Sequence, residues 1–93
     1  MPKSCEIATT GQFRKAFANL PREVQDLSRE AYKKFRRDPW HHSLRFKPVH
    51  TRLPIYSVRV SRGYRAVGQR TEDSIVWFWI GSHGDYDKLL SQM

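Results

Sequence analysis

Apolar residues in the first twenty positions follow two different spacings. Residues 4–8, SCEIA, form a short apolar-centred run that predicts a strand, and the Thr10-Gly11 pair behind it is typical of the cap of a helix. The first helix is predicted from apolar positions three or four residues apart, namely Phe13, Phe17 and Leu20. The sequence therefore predicts a strand that leads directly into a helix.

A second helix is predicted to begin at Pro21 and to end near Asp38. Proline suits the first turn of a helix and pushes the residue before it out of the helical region, so it separates this helix from the first. Pro39 ends the second helix for the same steric reason. Charged residues cover most of its surface, and its apolar stripe consists of Val24, Leu27, Ala31 and Phe35.

The rest of the sequence contains short alternating segments typical of strands. Four strands are predicted, at residues 44–48, 55–61, 64–70 and 75–81, with turn residues between them. We expect these strands to form an antiparallel meander. The last is nearly continuously apolar, which is typical of a central strand covered on both faces. Residues 85–90 predict a final helical turn.

This order of elements predicts a single α+β domain over residues 1–93. An N-terminal strand and a helical hairpin would pack on one face of a small, mainly antiparallel sheet. The opposite face would remain partly open and present basic side chains. A small domain that leaves a sheet face uncovered usually binds something there.

The segment YSVRVSRGYRAVG, residues 56–68, allows two hairpin registers. A two-residue turn would place Arg59 opposite an alanine and mix charge into the core. A three-residue loop ending in a left-handed Gly63 would instead pair Val60 with the tyrosine after the glycine, and Arg59 with Arg65. We predict the second register because it separates charged from apolar side chains. Two opposed arginines repel, so they either hold an anion between them or point into water that screens the repulsion.

Positive charge is concentrated in one part of the chain. The formal net charge is +8, the pI is about 10.2, and no carboxylate occurs between Asp38 and Glu72. This pattern indicates a polyanionic partner, most simply nucleic acid, rather than a membrane. The basic residues of this acid-free interval are Arg45, Lys47, Arg52, Arg59, Arg62, Arg65 and Arg70, with His41, His42 and His50.

Targeting signals and cysteine chemistry are not apparent in the sequence. No segment has the apolar run of a signal peptide or approaches the about 20 apolar residues of a membrane span, which predicts a cytoplasmic protein with no membrane partner. Cys5 is the one cysteine, so we interpret it as a reduced strand residue and predict no disulfide. We predict no metal and no cofactor.

The end of the last predicted strand, WFWIGSHGDYDKLL, contains the strongest candidate for chemistry. A histidine at a strand end is more often structural than catalytic. His83, however, leaves a buried strand at the rim of a basic sheet, within reach of Arg65, and Asp85 and Tyr86 follow it, so a catalytic role is an equal alternative. Strand alternation predicts that four residues share one side of the sheet, namely Trp77, Trp79, Gly81 and His83.

Together, YSVRVSRGYRAV and IVWFWIGSHGDYDKLL resemble the RelE/ParE superfamily, the toxin halves of bacterial toxin–antitoxin systems. The similarity covers nearly the whole chain, including the helical hairpin and LRFKPV. It implies a toxin held silent by a cognate antitoxin, with operator DNA bound only through the antitoxin complex. Toxins of the RelE-like branch, which we favour, cleave mRNA in the ribosomal A site. Toxins of the ParE branch poison DNA gyrase and are not nucleases.

The resemblance also implies site residues, position by position. Arg59 matches a catalytic lysine of the middle strand, Arg65 matches the arginine after the Gly-Tyr of the hairpin, and Tyr86 matches the C-terminal tyrosine. His83 stands where RelE itself has an arginine, although related nucleases use a histidine near this end. Ser57 replaces a second lysine, which weakens the electrostatic part of the site.

The implied reaction is a metal-independent attack of the ribose 2′-OH on the adjacent phosphate. Arg59 and Arg65 would bind the phosphate, since a guanidinium fork contacts two oxygens and stays charged. His83 would transfer a proton, Asp85 would orient it or act as base, and Tyr86 would stack on a base or donate a proton. RNA contacts are assigned to Arg45, Lys47, Arg62 and Ser57. The partners would be the ribosome and mRNA, and a non-catalytic basic RNA-binding module remains the alternative.

Overall fold

A computed structural model describes residues 6–93 and has the predicted α+β architecture. The predicted strand at residues 4–8 is observed from residue 6 onward, and the interpretation of Cys5 lies outside the described residues. In the described part of the chain, no helix has the length and apolar character needed to cross a membrane. The elements are β1 (Glu6–Thr9), α1 (Gly11–Ala18), α2 (Arg22–Arg37), a 3₁₀ helix (His42–Leu44), β2 (Lys47–Pro48), β3 (Ile55–Ser61), β4 (Tyr64–Arg70), β5 (Ser74–Ser82) and α3 (His83–Gln92).

The strands form a five-stranded sheet in the order β1-β5-β4-β3-β2. Strands β2 to β5 make the predicted antiparallel meander, while β1 pairs in parallel with β5. The prediction that the last strand is central is therefore confirmed, because β5 lies between β1 and β4. An apolar strand in this position is shielded by a neighbour on each edge.

Helices α1 and α2 pack on one face of the sheet, which we call the first face. The side chain of Thr10 caps α1 by accepting a hydrogen bond from the backbone N–H of Phe13 at 3.1 Å. The amide of Gln25 then donates to the carbonyls of Phe17 (3.1 Å) and Leu20 (3.2 Å), which ties α2 to the end of α1. The buried core under the helices comprises Phe35, Leu44, Val58, Ala66, Ile75, Trp77 and Ile80.

The segment predicted as a strand at residues 44–48 is mostly not extended. It starts at the end of the 3₁₀ helix, where Leu44 is only 1% exposed and belongs to the core. Arg45 then adopts a left-handed conformation (φ 48°), and pairing with β3 is limited to residues 47 and 48. The strand prediction is wrong here because anchoring Leu44 in the core requires a compact turn, which local alternation does not reveal.

The β3–β4 hairpin has the predicted pairing of Arg59 with Arg65, but it reaches this register by a different route. The turn contains two residues, so Ser61 pairs with Tyr64, and a bulge at Val60 takes up the extra residue. The predicted left-handed Gly63 is wrong, since no described glycine has a positive φ. The bulge therefore shifts the strand pairing by one residue, which is the shift that the predicted three-residue loop would have produced.

A second bulge changes which side of β5 each tryptophan occupies. Val67 pairs with Trp79 and Gly68 pairs with Trp77, so Phe78 is an extra residue in β5 that has no partner in β4. Trp77 consequently lies in the core on the first face, whereas Trp79 packs with a second cluster on the opposite face. The prediction that both tryptophans share a side is wrong because the bulge resets strand alternation.

Helix α3 covers part of the opposite sheet face, which we call the second face. Its Tyr86 joins Ile55 and Val67 in a second buried cluster, and Leu89 and Leu90 pack against this cluster. The predicted terminal turn at residues 85–90 is thus confirmed as part of a longer helix. Arg59 and Arg65 lie on this second face, near the β3–β4 turn.

Candidate functional site

Two arginines lie directly opposite each other on the second face. Arg59 of β3 pairs with Arg65 of β4, and Arg65 in turn pairs with Gly81 of β5. Both arginines are partly buried. Like charges opposed across two strands destabilise a sheet, so this pair is a feature that folding alone does not favour.

The guanidinium of Arg65 is held in place by the turn of its own hairpin. Its Nη1 donates to the carbonyl of Ser61 at 2.8 Å and to that of Tyr64 at 3.0 Å, with a longer contact of 3.4 Å to the carbonyl of Arg62. Within residues 6–93, its Nη2 and Nε atoms make no hydrogen bond. The side chain is therefore preorganised with donors left for an incoming anion.

Positive charge accumulates around Arg65. Burial lowers the pKa of Arg65 from its ordinary value, and the neighbouring charges of Arg59 and Arg45 lower it further, against opposing effects of Tyr86 and Asp87. The guanidinium nevertheless stays protonated, because arginine does not lose its proton in proteins. An anion bound between Arg59 and Arg65 would relieve this repulsion.

His83 is placed beside the arginine pair by the start of α3. The Ser82 hydroxyl caps this helix by accepting from the backbone N–H of Asp85 at 3.2 Å. The backbone N–H of His83 donates to the carbonyl of Gly63 at 2.8 Å, which joins the helix start to the β3–β4 turn. The His83 side chain is 53% exposed, so its imidazole is open to solvent and to a ligand.

The His83 side chain lies near the carboxylate of Asp87, a residue that the sequence pattern does not single out. Nε2 of His83 lies 3.9 Å from Oδ1 of Asp87, one helical turn ahead. Asp85, the residue assigned to orient His83, is exposed and is hydrogen-bonded through its backbone N–H to Ser82. If the helix is taken to begin at residue 83, i,i+4 spacing pairs His83 with Asp87. The sequence pattern predicts helix only from residue 85, so it does not reveal this pair.

Tyr86 and Ser57 are both buried, with 6% and 2% of their surfaces exposed. The Tyr86 hydroxyl donates to the Ser57 hydroxyl oxygen at 3.0 Å, and its ring lies 6.4 Å from that of Trp79 and 6.0 Å from that of His83. The predicted contact of Ser57 with RNA and the predicted stacking of Tyr86 on a base would therefore each require a buried side chain to become accessible. The structure gives the pair a supporting position beneath His83.

Replacing Tyr86 with phenylalanine should lower stability by about 1 kcal/mol, because the buried Ser57 hydroxyl loses its partner. The loss should largely disappear when Ser57 is also replaced with alanine, as measured by thermal melting of the two single variants and the double variant. Equal losses in the single and double variants would show that the hydrogen bond is not responsible.

Three further cations surround the arginine pair. Arg45 follows the 3₁₀ helix, Lys47 on β2 pairs with Ser57, and Arg62 lies in the β3–β4 turn. All three are exposed. They extend the positive surface outward from the arginine pair, as a surface that tracks a polyanionic strand requires.

Comparison by sequence gives one family. Residues 22–88 match the model of the ParE-like toxin domain. This match spans more than half of the chain, from α2 to α3, and so includes every residue of the candidate site. No functionally curated protein matches the sequence.

Solved structures of low sequence identity share the fold. The Mycobacterium tuberculosis RelBE2 toxin–antitoxin complex contains a chain with a TM-score of 0.70 and 18% identity, covering 91% of this chain and 98% of that one. The Methanococcus jannaschii RelB–RelE complex gives 0.71 and 12%, covering 88% and 96%. The E. coli DinJ–YafQ complex gives 0.71 and 10%, also covering 88% and 96%.

Proposed function

The chain belongs to the ParE-like toxin domain family. We propose that it is a ribosome-dependent endoribonuclease that cleaves mRNA. The observation that supports this activity is that Arg59 pairs with Arg65 and that the backbone of His83 is hydrogen-bonded to the turn between their strands. Cations that stabilise the phosphate and a side chain that transfers protons are what RNA cleavage without a metal requires. The fold shared with RelE and YafQ toxins is consistent with the same chemistry.

The proposed reaction is an internal transfer on the RNA backbone. The ribose 2′ oxygen attacks the adjacent phosphorus and loses its proton to a base, while the bond from phosphorus to the 5′ oxygen breaks. The departing 5′ oxygen accepts a proton. The products are a 2′,3′-cyclic phosphate and a 5′-hydroxyl, so no water and no redox partner is consumed.

Each residue of the site has a distinct part in this proposal. Arg59 and Arg65 stabilise the negative charge that grows on the phosphate oxygens, and Arg65 is already fixed by the turn carbonyls. His83 exchanges the proton. Asp87 stabilises the imidazolium that forms when His83 takes that proton, which is the part that we had assigned to Asp85. Arg45, Lys47 and Arg62 position the message through its phosphates.

A cognate antitoxin is the proposed regulatory partner. The related structures from M. tuberculosis, M. jannaschii and E. coli are complexes of a toxin with its antitoxin. An acidic antitoxin segment laid over the positive surface of this chain would neutralise Arg59 and Arg65 and exclude RNA. Operator DNA would be bound through the antitoxin in such a complex, and the compartment would be the cytoplasm.

The second candidate function is inhibition of DNA gyrase, which the name of the matched family favours. A gyrase inhibitor needs no proton-transferring residue beside paired arginines. A passive RNA-binding module likewise needs the positive surface but not His83. The placement of His83 against the β3–β4 turn therefore supports the nuclease over both alternatives.

The deciding experiment adds the purified chain to a cell-free translation extract and maps the 5′ ends of the message by primer extension. We expect cuts at codon positions on translated message only, and we expect His83→Ala to lower cleavage about 100- to 10,000-fold, the usual contribution of a general acid or base. His42→Ala, which removes an exposed histidine of the 3₁₀ helix, is the matched control and should cleave normally.

Intact message in the presence of folded chain would refute the nuclease proposal. Gyrase supercoiling would then be assayed with the same preparation, and inhibition there would establish the second candidate. Cleavage that survives in His83→Ala would keep the nuclease but remove His83 from its chemistry.

A further inference from the structure

A second group of aromatic and cationic side chains lies apart from the arginine pair. The ring of Trp40 packs against that of Phe46, with centroids 4.9 Å apart. The guanidinium carbon of Arg70 lies 5.4 Å from the Trp40 ring centroid and 5.3 Å from that of Tyr56, and its Nη1 donates to the Tyr56 hydroxyl at 3.3 Å. We call Trp40, Phe46, Tyr56 and Arg70 the aromatic platform.

Trp40 is the most exposed large hydrophobic residue among residues 6–93, at 58%. It is nevertheless held in place, because its backbone N–H donates to Oδ1 of Asp38 at 3.1 Å and its ring rests on Phe46. Phe46 is itself supported by Phe35, 5.0 Å away between ring centroids. A large apolar ring that is rigid and exposed is the usual form of a stacking or contact site.

Arg70 adds a cation with unused donors. Only Nη1 makes a hydrogen bond within the described residues, so most of the five guanidinium N–H donors remain for a ligand. All four platform residues come from the interval between Asp38 and Glu72, which contains no carboxylate. An aromatic face beside a guanidinium that has unused donors matches a nucleotide, which has a flat base and an anionic phosphate.

We propose that the aromatic platform binds one base of single-stranded RNA by stacking on Trp40, with the adjoining phosphate on Arg70. This deepens the proposed function, on which its biological meaning rests. Phe46 packs against the first-face core and directly precedes Lys47 in the outermost strand β2, and Lys47 pairs with Ser57 on the second face. An RNA strand that crosses this edge would contact both the platform and the cations around the arginine pair.

The test measures binding of the purified chain to a fluorescently labelled, single-stranded 2′-O-methyl oligoadenylate by anisotropy. This probe lacks a free 2′-OH and is not cleaved. Trp40→Ala should weaken binding about 5- to 100-fold, because stacking of one base contributes about 1–3 kcal/mol and each tenfold in Kd is about 1.4 kcal/mol. Trp40→Phe keeps an aromatic face and should lose less.

Two controls separate stacking from charge and from loss of structure. Tyr32→Ala removes another exposed aromatic ring that contacts an arginine, Arg36, but lies outside the platform, and it should bind normally. An abasic oligomer with the same number of phosphates should bind the original chain about as weakly as the oligoadenylate binds Trp40→Ala. Thermal melting confirms that each variant is folded.

Unchanged binding by folded Trp40→Ala, or equal binding of the abasic and base-containing oligomers, would overturn the proposal. Normal RNA binding combined with lost binding of an antitoxin would also overturn it and assign the platform to a protein partner. Because the probe is not cleaved, these results do not depend on catalysis. If the original chain cleaves message in translation extract but Trp40→Ala binds RNA normally, only the platform proposal is refuted. The nuclease proposal then stands.

Discussion

Arg65→Ala should lower message cleavage about 100- to 1,000-fold, the usual loss when one preorganised donor to a transition-state oxyanion is removed. The expected loss is large because Arg65 is both charged and fixed, with its Nη1 on the turn carbonyls of Ser61 and Tyr64. Arg65→Lys should restore only a small part of the activity, since an ammonium keeps the charge but not the planar fork. Rates of cleavage in translation extract provide the measurement.

The matched control for this prediction is Arg22→Ala, which removes the same charge from the exposed start of α2 on the first face. It should cleave within a few-fold of the original chain. Comparable losses in Arg22→Ala and Arg65→Ala would mean that net charge, rather than the arginine pair, determines activity.

Arg59→Ala offers a further distinction between stability and function. It removes the repulsion between opposed arginines, so the variant should melt at a slightly higher temperature while cleaving more slowly. A residue that costs stability and is needed for activity is typical of a functional site. A lower melting temperature together with normal cleavage would show that Arg59 contributes to stability and not to cleavage.

Gly68→Ala should lower the free energy of unfolding by about 2–3 kcal/mol, which corresponds to a fall in Tm of about 10–20 °C for a domain of this size. An added Cβ would lie 2.8 Å from Cε3 of Trp77 and 2.9 Å from the backbone carbonyl oxygen of Val76. The carbonyl cannot move without disturbing the β4–β5 pairing. Gly68 is therefore required by the close approach of β5 at its bulge.

Gly63→Ala is the control for Gly68→Ala. No atom lies within 4 Å of the position that a Cβ would take at Gly63, and its φ is not positive. Thermal melting should place Gly63→Ala within about 1 kcal/mol of the original chain. Similar Tm values for the two variants would show that the sheet adjusts at the bulge and would remove the steric argument.

Local patterns in the sequence were sufficient for the order of elements and for the pairing of Arg59 with Arg65. When the strands at residues 55–61 and 64–70 pair, one register places the two arginines on the same face and the apolar residues beneath the helices. The observed pairing follows from this requirement whichever turn connects the strands. The turn was mispredicted because a bulge at Val60 and a longer loop give the same offset.

The α+β class, the acid-free basic interval and the opposed arginines could therefore be predicted, since each depends on residues near one another in the chain. The side that Trp79 occupies, the burial of Tyr86 on Ser57, and the packing of Trp40 with Phe46 and Arg70 are visible only in the folded chain. These features depend on bulges and on contacts between distant segments. Their energies are set by the packing of the whole sheet, which no local periodicity encodes.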